Sequence, residues 1–74
     1  MISLEKLISQ TLNIPEQRVT DDMTMEDTAE WDSLKHMELI VAIEQTYSIE
    51  LTGDEIADMV SIRAIRAAVD NHKK

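Results

Sequence analysis

Asp32, Ser33 and His36 lie within five residues of one another in "EWDSLKHMELIVAIEQTY", residues 30–47. A carboxylate, a hydroxyl and an imidazole are the groups that an acyl-transfer triad uses. Here they crowd onto one turn at the start of a helix, where three such groups rarely align as nucleophile, base and orienter. No glycine-rich elbow or oxyanion hole accompanies them. A small hydrolase is therefore a distant reading, and no catalytic residue is expected. Taken alone, Asp32 and Ser33 have an ordinary task, because Asp and Ser are favoured helix caps that satisfy free backbone N–H groups.

The helix behind the triplet is less ordinary. At about 100° per residue its apolar side chains fall into two stripes. Leu39, Ile40, Ile43 and Tyr47 form one, wide enough to face a core. Leu34, Met37 and Val41 form another, more than a right angle away and bordered by Glu38, Glu44 and Gln45. Either the helix is buried on two sides, or the second stripe is partly exposed. An exposed apolar strip rimmed by carboxylates suits docking onto a basic, apolar partner, and methionine adapts to several partner shapes. Ser33 lies between the stripes, and His36 sits at the edge of the core-facing one, where a structural role is expected.

Positioning these residues is the work of an all-α domain. The chain has 74 residues, one proline and one glycine, with no strict apolar–polar alternation. Leu4, Leu7, Ile8 and Leu12 recur at helical spacing behind Ser3, a candidate N-cap, and Asn13 and Pro15 break the pattern. A long polar connection runs from Pro15 to Trp31, pinned to the core by Val19, Met23 and Met25. Connections this long in small domains are often functional. The second helix spans Ser33 to Tyr47, and Ile49 and Leu51 anchor the connection after it. A short third helix covers Asp54 to Asp58 after Thr52-Gly53. Ser61 caps the last helix, with Ile62, Ile65 and Val69 inward and Arg63, Arg66 and Asp70 outward. The reading is one small four-helix bundle, three longer helices and one short, spanning 1–74 as a single domain.

Charge narrows the partners. The formal charge is −8, from fifteen acidic against seven basic side chains. From Glu16 to Asp58 thirteen acids face only Arg18 and Lys35, so the acidity surrounds Ser33. Phosphates would repel such a surface, so nucleic acid and anionic membrane are not expected partners. With no cysteine there is no disulfide, no thiolate nucleophile and no cysteine-based metal site. Asp21, Asp22, Glu26 and Asp27 in "DDMTMED" lack the alternation and turn glycine of a calcium loop. They read as a solvated acidic loop, and no metal is expected. "MISLEKLISQ" lacks the basic n-region of a signal peptide, and no apolar run approaches a membrane span. A cytoplasmic protein is expected.

The order of these elements resembles the acyl carrier proteins of the discrete, single-domain kind. A first helix and a long loop lead to Asp-Ser-Leu at 32–34, which opens the second helix. Glu38-Leu39 lies four residues past the triplet. "AIEQTYSIEL" at 42–51 is similar to the family's Ala-Leu-Glu…Phe…Ile pattern. "GDEIADMVSIRAI" at 53–65 resembles its acidic third helix and the start of its fourth. The resemblance implies that Ser33, flanked by Asp32 and Leu34, carries a covalent 4′-phosphopantetheine arm. A phosphopantetheinyl transferase would install it from coenzyme A, with Mg²⁺ needed only by that enzyme. Acyl groups would then ride as thioesters on an imported thiol, and acyl-loading ligases or synthases would be the other partners.

The carrier itself, expected to be a monomer, would catalyse nothing. Partners would dock on Leu34, Met37, Glu38, Val41 and Glu44. Lys35, His36 and Trp31 depart from the pattern of housekeeping fatty acid biosynthesis, and Glu30-Trp31 departs from the Gly-Gly of peptidyl carriers. The departures point to a dedicated pathway, such as one of secondary metabolism. Trp31 is expected to pack beneath the loop. The alternative is a non-enzymatic acidic adaptor that binds a basic protein surface, carries no prosthetic group and uses Ser33 as a cap.

Overall fold

In the computed structural model, which describes residues 3–72, the expected stops and starts are made by identifiable side chains. The Ser3 hydroxyl accepts from the Lys6 amide at 3.1 Å and opens α1 (Leu4–Leu12). Asn13 closes it in the left-handed region at φ 60, a conformation that asparagine tolerates. Pro15 precedes a single 3₁₀ turn, Glu16–Arg18, which periodicity did not reveal. Asp32 caps α2 (Ser33–Tyr47), and Ser48 ends it, again left-handed at φ 56. The third helix, α3 (Gly53–Asp58), begins one residue earlier than expected. Thr52 forms a capping box there: its hydroxyl accepts from the Glu55 amide while the Glu55 carboxylate accepts from the Thr52 amide. The Ser61 hydroxyl accepts from the Ala64 amide at 3.1 Å at the start of α4 (Ile62–His72).

The three longer helices bury one stripe each, Leu4, Leu7, Ile8 and Leu12 against Leu39, Ile40 and Ile43 and against Ile62, Ile65 and Val69. Met59, Leu51 and Trp31 complete that core, and Tyr47 is half-buried at its edge. No residue of α3 is fully buried, so this helix is held by its caps and by contacts from its neighbours. The bundle is all-α and four-helical, and none of its helices is long and apolar enough to cross a membrane.

The long connection before α2 is ordered by means that leave no trace in hydrophobic pattern. Val19 is buried and Met23 and Met25 are half-buried against the core, as expected. Beyond that, the backbone of residues 21–25 runs against the α3–α4 junction. Met25 N–H donates to the Val60 carbonyl at 2.9 Å and Ile62 N–H to the Met23 carbonyl at 3.0 Å. Thr24 and Ser61 form an isolated antiparallel bridge. Ion pairs close the arrangement: Arg63 with Asp22 at 3.0 Å, Arg66 with both Asp21 and Glu5, and Arg18 with Glu30 at 2.9 Å.

Candidate functional site

The first turn of α2 divides its polar work between two residues. The Asp32 carboxylate accepts from the Lys35 amide at 2.9 Å, so Asp32 is the cap. Ser33 is thereby released from capping. It is exposed, and its hydroxyl has no partner among the described residues. Four N–H groups at a helix start lack intrahelical partners. Asp32 takes that of Lys35, which leaves the amides of Ser33 and Leu34 beside a free hydroxyl, and an anion at this end is favoured. Lys35, two residues past Ser33, lies 3.7 Å from Glu38 in an exposed pair that contributes little to stability.

His36 is structural, as expected, and both of its ring nitrogens are engaged. Trp31 Nε1–H donates to Nδ1 at 3.0 Å. Nε2 lies 3.0 Å from the Ile56 carbonyl oxygen. The indole nitrogen can only donate, so the imidazole hydrogen sits on Nε2 and points at that carbonyl. His36 therefore cannot serve Ser33 as a general base, and Asp32 is turned to a backbone amide. Of the three residues that could have made a triad, Asp32 and His36 are engaged elsewhere and only the Ser33 hydroxyl is free. Trp31 is 1% exposed, packed under the loop as its size and position suggested.

The second stripe of α2 faces solvent: Leu34 is 71%, Met37 51% and Val41 47% exposed. Burial on two sides is thereby excluded for this helix. Together with Glu38, Ala42 and Gln45 these residues line an open groove of about 470 Å³. Isolated exposed apolar residues are common, but three aligned along one helix, rimmed by a carboxylate, form a patch. The expectation for Glu44 changes. Its carboxylate folds over the end of α2 and accepts from the Leu51 amide at 2.9 Å, half-buried and away from the groove. A backbone N–H that would otherwise lack a partner holds it there, and Gln45 and Ala42 take its expected place in the lining.

The acids of the long connection do not assemble into a metal site. Asp21 and Asp22 pair with Arg66 and Arg63, and Asp27 accepts from the Thr24 hydroxyl at 3.1 Å. Among the described residues no group of three or more His, Asp or Glu side chains could hold an ion. The local arginines and hydroxyls satisfy much of this charge.

A free hydroxyl at a helix start thus stands beside an exposed apolar strip on the same helix. Comparison with known proteins identifies the family. Residues 3–69 match the family model of the phosphopantetheine attachment site. The acyl carrier protein of Buchnera aphidicola subsp. Baizongia pistaciae is 34% identical over 62 residues, covering 84% of this chain and 80% of that protein. That of Buchnera aphidicola subsp. Schizaphis graminum is 28% identical over 71 residues, 96% of this chain and 90% of its own. Among solved structures, the solution structure of a holo acyl carrier protein from Geobacter metallireducens superimposes with a TM-score of 0.85. It is 27% identical in sequence, with 95% of this chain and 80% of that one covered.

Members of this family meet a phosphopantetheinyl transferase and enzymes that handle acyl groups. With the fold and the relatives in agreement, the chain belongs to the acyl carrier protein family: a non-catalytic carrier of acyl thioesters on a covalent 4′-phosphopantetheine group.

Proposed function

We propose that Ser33 is the residue that bears the arm, with Asp32 and Leu34 as its flanking motif, and that Leu34, Met37, Glu38 and Val41 form the docking strip. The observation that carries this reading is the exposed, unpartnered hydroxyl of Ser33 beside a carboxylate that has taken over the capping role. In the transfer, the Ser33 oxygen attacks a phosphorus of the coenzyme A pyrophosphate. An Oγ–P bond forms, the P–O bond to the adenosine bisphosphate breaks, and the hydroxyl proton passes to a base of the Mg²⁺-dependent transferase. The amides of Ser33 and Leu34 favour the resulting phosphodiester, and Lys35 adds a cation close by. The group supplies a thiol that a chain without cysteine lacks.

Release matters as much as docking for a carrier that visits several enzymes, and a small patch of three apolar side chains supports weak, short-lived contact. The cation of Lys35 beside the modified serine and the bulk of Trp31 before the triplet support service in a dedicated pathway rather than general fatty acid synthesis. In this reading the carrier acts as a monomer in the cytoplasm.

The test is the intact mass of the protein after incubation with coenzyme A, Mg²⁺ and a broad-specificity phosphopantetheinyl transferase, with folded Ser33→Ala alongside. One phosphopantetheine on the native protein and none on the variant is the expected result. An unmodified native protein with several such transferases would instead leave an acidic adaptor with Ser33 as an ordinary helix residue.

A further inference from the structure

The hydrogen bond between Trp31 and His36 has a position as informative as its length. Asp32 is the N-cap of α2, so Trp31 occupies the position just before the cap and His36 the fourth helical position. These are the two sites at which apolar residues pack across a helix start and set the angle at which the chain joins it. Here the staple is polar and directional: an indole N–H to Nδ1 at 3.0 Å, with ring centroids 5.9 Å apart and planes tilted by 34°. Trp31 is 1% and His36 8% exposed, so this bond is made away from water, where it constrains most. Ser33 is one of the four residues enclosed between its ends.

The staple is tied down on both sides. The Trp31 amide donates to the Thr28 carbonyl at 3.0 Å, which fixes the last turn of the long connection. On the other side His36 Nε2–H reaches the Ile56 carbonyl, which also accepts from the Met59 amide at 3.3 Å. Because α3 buries no residue fully, this bond is one of the few that locate it against α2. A single imidazole therefore touches both the turn that carries Ser33 and the helix that carries the exposed acids Asp54 and Asp58.

We propose that His36 is a positioning residue: through its bond from Trp31 it holds the Ser33 turn in the arrangement that the modifying transferase recognises, while its bond to the Ile56 carbonyl serves the packing of α3. The proposal rests on Ser33 as the attachment residue. A transferase that meets a loosened turn must order it on docking, so the loss falls mainly on KM for the carrier and little on kcat.

The side chains that mimic each half of the imidazole separate the two bonds. In His36→Asn the amide oxygen stands where Nδ1 does and still accepts from Trp31. In His36→Gln the terminal NH₂ still reaches toward Ile56, but the staple is gone, and Trp31→Phe removes the same bond from the other side. At a temperature where all variants are folded by circular dichroism, His36→Gln and Trp31→Phe should lose about tenfold in kcat/KM for phosphopantetheine transfer, the order of one hydrogen bond. His36→Asn should recover most of that loss. Folded His36→Gln and Trp31→Phe proteins within twofold of native would overturn the proposal.

The unmodified protein supplies a second readout, independent of any transferase. In ¹⁵N relaxation, Ser33 and Leu34 should be rigid in the native protein and in His36→Asn, but should fall toward order parameters below about 0.6 in His36→Gln. Native-like order in His36→Gln would overturn the staple even if transfer were slow. A native protein that no transferase modifies, with the relaxation result as expected, would refute Ser33 as the attachment residue and leave the staple standing as a feature of the fold alone.

Discussion

Asp32 and Ser33 are both good capping residues, yet only Asp32 caps, which leaves the adjacent Ser33 hydroxyl free of that structural task. The carboxylate sits 2.9 Å from the Lys35 amide, so its removal should cost what a lost N-cap costs, about 1 kcal/mol. Asparagine caps a helix as well as aspartate. Asp32→Ala should therefore lower the thermal midpoint by several degrees in a domain of this size, whereas Asp32→Asn should leave it within about two degrees, since Asn and Asp rank together as caps. If the carboxylate also helps a transferase recognise the triplet, both variants will be modified more slowly. Thermal denaturation and the rate of mass increase, measured side by side, check the two halves. A slowed Asp32→Asn of native stability assigns the charge to recognition; an unaffected one confines Asp32 to capping.

At the level of the helix, α2 shows what a sequence can and cannot disclose. Leu34, Met37 and Val41 were separable from Leu39, Ile40 and Ile43 because helical periodicity reports which residues share a face. It does not report what crosses to meet a face. On a helical wheel Glu38 and Glu44 border the strip alike. Only the fold shows that Glu44 turns back to the Leu51 amide while Glu38 stays beside the groove. The bond from Trp31 to His36 escaped for the same reason: a histidine at the edge of a core stripe looks alike whichever donor it meets. These glutamates should now behave differently. Glu44→Ala leaves the Leu51 amide without its partner and should cost about 1 to 2 kcal/mol in chemical denaturation, with native transfer kinetics in the folded protein. Glu38→Lys should keep the stability and raise KM for the transferase severalfold. The reverse pattern would move the docking face off this strip.

Across the whole molecule, the concentration of acids between Glu16 and Asp58 was legible from the chain, but its internal neutralisation was not. Residues 21–25 pair with the α3–α4 junction over too few positions to leave a repeat, and the arginines that meet them lie about forty residues away in sequence. Arg66 is the hub, joining Glu5 of α1 to Asp21 of the long connection. Its hydrogen bond holds the Glu5 carboxyl below the usual range, and the Arg18 pair does the same for Glu30. A carboxylate whose pKa is lower folded than unfolded contributes stability that is complete above its unfolded value, near pH 4.3, and is lost as pH falls through the folded one.

The strong net negative charge acts in the opposite sense, since protonation relieves self-repulsion. A single melting curve against pH would therefore mix the two. Arg66→Met separates them: it keeps most of the side-chain packing, changes the net charge by one, and removes the cation that lowers Glu5. The native protein should melt higher than Arg66→Met at pH 7, with little change in that gap down to about pH 5, and the gap should close progressively between about pH 5 and 3. Arg63→Met, whose partner Asp22 is exposed, serves as the control for a lost surface charge, and its gap should stay small throughout. A gap for Arg66→Met that is constant down to pH 3 would show that Arg66 stabilises the bundle by packing rather than through its carboxylates.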